Sequence, residues 1–199
     1  MTTPTAAVPE RRWARAVTDH LEPKNWIIAL TLGVGVTTAG WTGLAWGAFS
    51  ALVAAVIPTL IIKKGIRAGR WSDRHLGART HRLVVMIMIL ASVAAGITVM
   101  VTADAPRPIV AVTLAMFATL ALLASITTRW KISVHAAVSA GATAMAGHAL
   151  GWPVAIPLAV IVGVVAWSRV ALRDHTRAQV IAGAFLGAVI AGTVYALAA

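Results

Sequence analysis

Hydrophobic residues fall into seven long runs along the chain, and short polar stretches separate them. An α-helix needs about 20 apolar residues to cross a bilayer, with a range of about 17–25. Five runs have this length, whereas the second is short and the sixth carries Pro153 and Pro157 near its start. The pattern predicts an all-α, polytopic membrane helical bundle of about six to seven transmembrane helices. The runs are residues 26–44, 46–62, 83–101, 108–128, 134–151, 153–167 and 178–198.

Composition supports a membrane protein of one domain. The chain is 59% hydrophobic and 12% charged, whereas a soluble domain is about 45–50% apolar and about 25% charged. Residues 1–25 are polar and basic, so we expect an N-terminal segment there and a transmembrane domain at residues 26–199. The chain contains no cysteine, which excludes disulfides and thiolate chemistry.

The basic residues indicate an orientation in the membrane. If all seven runs cross, the N-terminus and the loops at 63–82, 129–133 and 168–177 share one side, together with 16 of the 17 Lys and Arg residues. This asymmetry predicts that the basic face is cytoplasmic, in the bacterial cytoplasmic membrane. If residues 26–62 crossed only once, the N-terminus would change sides. Because topology accounts for the net charge of +11, we expect no nucleic-acid partner.

The stretch between Ser168 and Gln179 is an unusually polar interruption between two apolar runs. His175 and Gln179 are four apart, so they share a face if a helix starts here. His135 also lies at the start of an apolar run, beside a basic loop. Arginine forks and helix N-termini both favour phosphate oxygens. We therefore expect a phosphate-binding site on the basic face, whereas a membrane-surface contact with anionic lipid is the simpler interpretation of any one basic loop alone.

Other chemistries have weaker support. The sequence has no His-Glu-x-x-His pair and few carboxylates near the histidines, which argues against a metal site. It also lacks the Gly-x-Ser-x-Gly turn of serine hydrolases. Seven spans would allow a small transporter, but the predicted spans carry no buried charge that would mark an ion pathway.

The same residues resemble the signatures of a known superfamily. Ser168-Arg169, five residues, His175, three residues and Gln179 resembles the third signature of the type 2 phosphatidic acid phosphatase superfamily, usually Ser-Arg-x5-His-x3-Asp. Ser133-Val134-His135 resembles its second signature, usually Pro-Ser-Gly-His. The first signature, usually Lys-x6-Arg-Pro, fits either residues 63–70 or residues 75–82, and we favour the second placement.

The resemblance implies a metal-independent phosphatase without a cofactor. By resemblance, His175 is the nucleophile that forms a phosphohistidine, and His135 is the general acid for the leaving alkoxide. The substrate is expected to be a phosphomonoester of a lipid or polyprenyl-linked molecule at the cytoplasmic face. The sequence also allows a homo-oligomer. The implied substrate-binding residues are Arg169, Arg82, Arg79, Ser133, Val134, His75 and Lys64, and the supporting residues are Gln179, Asp73 and Ser168.

One departure from the signatures affects activity directly. Gln179 stands where the superfamily uses aspartate, and an amide oxygen can accept a hydrogen bond from the histidine but brings no charge. Asp174 or Asp73 could supply a carboxylate instead. The alternative function is therefore a catalytically impaired relative that binds an anionic lipid phosphate or serves as a partner subunit.

Overall fold

The computed structural model describes residues 9–69 and 79–199, and all regular secondary structure in these ranges is helical. This confirms the all-α prediction. The N-terminal segment contains a helix of its own, α1, before the apolar helices begin. The helices are α1 Pro9–His20, α2 Pro23–Ala51, a π-helical segment Leu52–Val56, α3 Ile57–Arg67, α4 Arg79–Thr102, α5 Arg107–Thr127, α6 Val134–Leu150, α7 Trp152–Ala171 and α8 Arg177–Ala198.

Five helical stretches in the described part of the chain are long and apolar enough to cross a membrane. The five stretches are identified by their length and composition, and their presence is consistent with an integral membrane protein. The sixth helix, α6, has 17 residues and is shorter than these five. The five stretches are Pro23–Arg67, His81–Thr102, Arg107–Thr127, Trp152–Ala171 and Arg177–Ala198.

The first of these stretches reverses direction inside α2. Ala39 and Gly40 leave helical geometry, and Gly40 takes φ 56° and ψ −137°, which favours glycine because it has no Cβ. Beyond the reversal, a Cβ on Gly47 would lie 2.3 Å from the carbonyl oxygen of Thr31. Residues 23–38 and 41–67 therefore form two antiparallel arms in close contact. The reversal lies at Ala39–Gly40, earlier than the gap between the first two apolar runs, because glycine supplies the required backbone conformation there.

The helix α6 lies at the centre of the bundle, where it packs against α2, α5, α7 and α8. Its contact with α8 is especially close, since a Cβ on Gly187 would lie 2.0 Å from the carbonyl oxygen of Ala137. Gly183 makes a similar approach to the carbonyl of Ser133. Glycines allow such backbone contacts between membrane helices. The result is that the N-terminal ends of α6 and α8 lie side by side.

The N-terminal helix α1 packs against the C-terminal end of α7. Thr18 on α1 is buried, and its hydroxyl lies 3.1 Å from the hydroxyl of Ser168. The opposite side of α1 carries the exposed residues Arg11, Arg12 and Trp13. This helix therefore covers the same end of the bundle to which the N-termini of α6 and α8 belong.

Candidate functional site

The turn between α7 and α8 brings Arg169 and His175 together. Arg173 adopts a left-handed conformation with φ 57°, which lets the chain fold back over the end of α7. The backbone N–H groups of Asp174 and His175 both donate to the carbonyl oxygen of Arg169, at 3.2 Å each. The local backbone thus fixes the start of α8 against the last turn of α7.

Hydrogen bonds determine which nitrogen of His175 carries the proton. Its Nδ1 lies 3.2 Å from the carbonyl oxygen of Lys131 and 3.3 Å from Gln179 Oε1. The same Gln179 oxygen accepts from the backbone N–H of Thr176 at 3.1 Å, so it is the acceptor end of the amide. With two acceptors beside it, Nδ1 holds the proton and Nε2 keeps its lone pair.

The surroundings of His175 also favour its neutral form. Burial lowers the pKa of His175 to about 4, and the positive charges of Arg169 and Lys131 act in the same direction. The hydrogen bonds to Lys131 and Gln179 act in the opposite direction but are weaker. At neutral pH this imidazole is therefore an uncharged nucleophile or base.

Arg169 is charged and almost fully buried, and its guanidinium has two polar partners. Its Nη2 lies 2.9 Å from Asp174 Oδ2, and its Nη1 donates to the Thr18 hydroxyl at 3.4 Å. Ser168 already donates to the Val165 carbonyl, so the Thr18 hydroxyl donates to Ser168. The carboxylate of Asp174 thus pairs with Arg169 and does not provide the carboxylate that was expected beside His175.

The loop before α6 supports His175 from the other side. Ser133 is fully buried, and its hydroxyl caps α6 by accepting from the backbone N–H of Ala136 at 3.4 Å. Its own N–H donates to the Gln179 carbonyl at 3.3 Å, which ties this loop to the first turn of α8. The Lys131 carbonyl is thereby placed against the His175 ring. His135 follows the cap by two residues.

A cavity of about 430 Å³ opens beside these groups. His135 and His175 both line it. Its lining includes five cationic residues and two acidic ones, so an anion is the complementary ligand. Glu22 and Lys24, near the start of α2, form an ion pair with each other. The charged lining residues are Glu22, Lys24, Lys63, Arg82, Lys131, Arg169 and Asp174.

The structure brings together five of the residues that the sequence analysis predicted for the site. His175, His135, Arg169, Arg82 and Val134 line the cavity.

The remaining expected residues lie elsewhere. Ser133 and Ser168 are buried and hold helix ends in place, and Gln179 contacts His175. Lys64 is exposed and does not line the cavity. Arg79 begins α4, but its side chain lies outside the described part of the chain, as do His75 and Asp73.

Several lining residues were missed by sequence reasoning. Lys63 begins the placement of the first signature at residues 63–70, which we did not favour, and it follows Pro58 and Thr59 on the same helix, which also line the cavity. The carbonyl of Lys131 had no sequence signal, because a backbone acceptor can be provided by any residue. Lys24 and Glu22 reach the site only through the packing of the N-terminal segment.

In the described ranges, no group of three or more His, Cys, Asp or Glu residues is arranged to hold a metal ion. The donors present are instead an imidazole pair among guanidinium and ammonium groups, which suits an anionic ligand. No protein-family model, curated protein or solved structure matches this chain. The superfamily resemblance therefore remains a prediction that the residues themselves carry.

Proposed function

We propose that the protein is an integral membrane lipid-phosphate phosphatase that acts on a phosphomonoester through a phosphohistidine intermediate. The observation that carries the proposal is a neutral His175 with its proton on Nδ1, in a cavity with a second histidine and an excess of cations. A nucleophile for phosphorus needs a free lone pair, and Nε2 of this tautomer has one.

In the first step, the Nε2 lone pair of His175 attacks phosphorus while the bond to the leaving oxygen breaks. His135 gives its proton to the departing alkoxide. In the second step, water attacks phosphorus and gives a proton to His135, the N–P bond breaks with its electron pair returning to Nε2 of His175, and phosphate leaves. Arg169 and Arg82 carry fixed positive charge beside the cavity, which would stabilise charge that develops on the phosphoryl oxygens.

We further propose that the bundle crosses the membrane seven times, with the two arms of the hairpin and α6 each crossing once. The cavity entrance then lies on the cytoplasmic face of a bacterial membrane. Support comes from the hairpin at Ala39–Gly40, which keeps the N-terminus on the same side as the loops at 129–133 and 172–176. The basic residues concentrated on that side fit a cytoplasmic location.

The direct test is phosphate release from a panel of lipid and polyprenyl monophosphates by the detergent-solubilised full chain. We expect His175→Ala to abolish release, and we expect the intact protein to retain radiolabel from a phosphate-labelled substrate at His175. His148→Ala is the matched control, because His148 is exposed at the far end of α6. Equal release by the intact protein and His175→Ala would overturn the proposal.

Gln179 favours a second candidate, a protein that binds lipid phosphate without turnover. Its amide orients the imidazole but leaves the positive charge of a phosphohistidine without a carboxylate partner. This candidate predicts binding of a lipid phosphate that depends on Arg169 but gives no phosphate release. Restoring the carboxylate at position 179 would then produce turnover that the natural chain lacks.

A further inference from the structure

The cavity at His175 does not end at its charged residues. It continues between the two arms of the hairpin and the helices α4, α5 and α6, where its lining is apolar apart from Thr59 and Thr119. The Thr119 hydroxyl donates to the Ala115 carbonyl at 2.8 Å, so it presents little free polarity to the cavity. One end of the space therefore suits an anion, and the rest suits hydrocarbon.

The apolar part, which we call the tunnel, reaches deep into the bundle. On α6 the lining of the whole cavity runs from Val134 to Met145, and a separation of eleven residues at about 1.5 Å each corresponds to about 16 Å. Val93 on α4 and Leu30 on α2 line its inner end as well. The depth is about half of a bilayer core of about 30 Å.

Small side chains and an irregular helix leave this space open. Ala54 and Ala55 line the tunnel from the π-helical segment, and Ala142 lines it from α6. The Ser92 hydroxyl on α4 donates to the Val53 carbonyl at 2.8 Å, which supports the π-helical turn from the neighbouring helix. Such turns within α-helices frequently occur at functional sites.

We propose that the tunnel binds a single hydrocarbon chain whose phosphate group occupies the charged end. The whole cavity, with its charged end included, has a volume of about 430 Å³, which is within the range of about 300–1,000 Å³ for sites that enclose one ligand. Water would find few hydrogen-bond partners along the apolar walls, whereas a hydrocarbon chain would make dispersion contacts with them. This proposal names the substrate class of the phosphatase proposed above. Hydrolysis of such a substrate rests on that proposed function, whereas binding of the chain does not.

The first test narrows the tunnel and measures binding of non-hydrolysable alkylphosphonates to the full chain in detergent. Met116→Phe and Ala142→Leu add bulk at two walls of the tunnel. Leu114→Phe is the matched control, because Leu114 lies on α5 outside the tunnel lining and faces outward. At each chain length, the affinity of the variant is divided by that of the natural chain. Because the ligand partitions into detergent equally in both measurements, this ratio removes the effect of partitioning.

We expect the tunnel variants to weaken dodecylphosphonate at least about tenfold, as for roughly two lost buried methylenes. Butylphosphonate should bind each variant and the natural chain with affinities that agree within about twofold, about 0.4 kcal/mol. Leu114→Phe should change neither ligand. If the tunnel variants lost equal affinity for both ligands, or lost no affinity for either, the tunnel proposal would be overturned. Comparing the affinities of farnesylphosphonate and dodecylphosphonate shows whether the tunnel prefers a methyl-branched prenyl chain or a straight acyl-type chain. Tighter binding of a two-chain phosphatidic acid than of either ligand would contradict single-chain binding.

A second measurement on the natural chain requires no substitution. An alkylphosphonate with a photoreactive diazirine at its chain end should label Val93, Met116 or Met145. Labelling of the outward residues Ile87 and Phe185, which are 62% and 65% exposed, would instead place the chain in the surrounding lipid and overturn the tunnel.

The two proposals can fail independently. Tunnel labelling without phosphate release from any substrate would retain the chain-binding site and overturn the phosphatase. Phosphate release together with labelling of the outward residues would retain the phosphatase and overturn the chain-binding tunnel.

Discussion

At the scale of single residues, the neighbours of His175 determine which ring nitrogen carries its proton. The Lys131 carbonyl and the Gln179 amide oxygen both accept from Nδ1, and burial disfavours a second proton on the ring. Gln179 has two functions at once, since it also completes a capping box with Thr176 at the start of α8. Gln179 is therefore well placed to orient the histidine, but its amide brings no charge.

The pKa of about 4 predicts a specific pH dependence. Because burial disfavours the cationic ring, His175 should become protonated only as the pH falls through about 4, and phosphate release should be lost over the same range. The unfolded chain takes up this proton near pH 6.5. Folded stability should therefore fall as the pH decreases from about 6.5 to about 4 and change little from this group outside that window.

The measurement is a histidine NMR titration of the labelled protein in detergent, with His175→Ala to assign the signal. A midpoint near pH 6.5 for this resonance would contradict the buried, neutral imidazole.

Gln179→Glu places a carboxylate where the amide oxygen now lies and keeps the capping box, which accepts either residue. We expect the pKa of His175 to rise and turnover to increase at least about tenfold, since aspartate-to-amide exchange in a catalytic triad costs about 10⁴. The measurement is kcat with a short-chain phosphate.

Gln179→Met is the control, because methionine keeps the approximate size of the side chain but removes the oxygen that accepts from His175. This variant should lower turnover. If Gln179→Glu left turnover unchanged while the pKa of His175 rose, the charge at this position would not limit the reaction.

At the scale of helices, close contacts between α6 and α8 set the position of both histidines. Gly183 and Gly187 let the backbone of α8 approach carbonyl groups of α6 and of the loop before it. The Ser133 cap and the Ser133–Gln179 backbone hydrogen bond then join the N-terminal ends. A shift between these two helices would move His135 relative to His175.

Gly187→Ala tests this contact. The added Cβ would lie 2.0 Å from the Ala137 carbonyl oxygen, so the helices must separate. We expect a loss of about 1–3 kcal/mol in stability, as in overpacked cores, together with reduced phosphate release.

Gly163→Ala on α7 is the matched control, because a Cβ at the exposed Gly163 would meet no atom within 4 Å. Thermal unfolding in detergent measures both variants. Equal midpoints for the two would show that the α6–α8 contact tolerates a methyl group.

At the scale of the whole molecule, the hairpin in α2 determines which loops share a face. With the reversal at Ala39–Gly40, α1, the start of α6 and the start of α8 lie at one end of the bundle. The charged part of the cavity opens at this end, and the tunnel runs from it toward the middle of the bundle. The proposed lipid phosphate would thus enter from one membrane face.

Single-cysteine labelling tests this topology, because the natural chain has no cysteine to remove. Trp41→Cys and Ala103→Cys should react with a membrane-impermeant maleimide in intact cells. Arg11→Cys and Arg129→Cys should react only after the cytoplasmic membrane is permeabilised. Labelling of Arg11→Cys and Arg129→Cys from opposite sides would mean that the hairpin does not cross twice.

The sequence predicted the helices well where hydrophobic runs end at polar residues. The run at 108–128 corresponds to α5, Arg107–Thr127, and the run at 178–198 corresponds to α8, Arg177–Ala198. It was less accurate in α2, because the reversal depends on the backbone of one glycine inside an apolar run. At the site, His175 and Gln179 contact each other as their spacing predicted, although His175 precedes the N-cap Thr176 and does not itself belong to α8.

The sequence by itself thus determined an all-helical chain with apolar helices suited to a membrane, because periodicity and hydrophobic length are local properties. It also singled out the two histidines and Arg169. Only the tertiary structure decided that Asp174 pairs with Arg169, that the Lys131 carbonyl fixes the His175 tautomer, and that Lys63 joins the cavity. The Asp174–Arg169 pair depends on the turn around Arg173, whereas the Lys131 and Lys63 contacts join distant parts of the chain, and the apolar tunnel arises from the same packing.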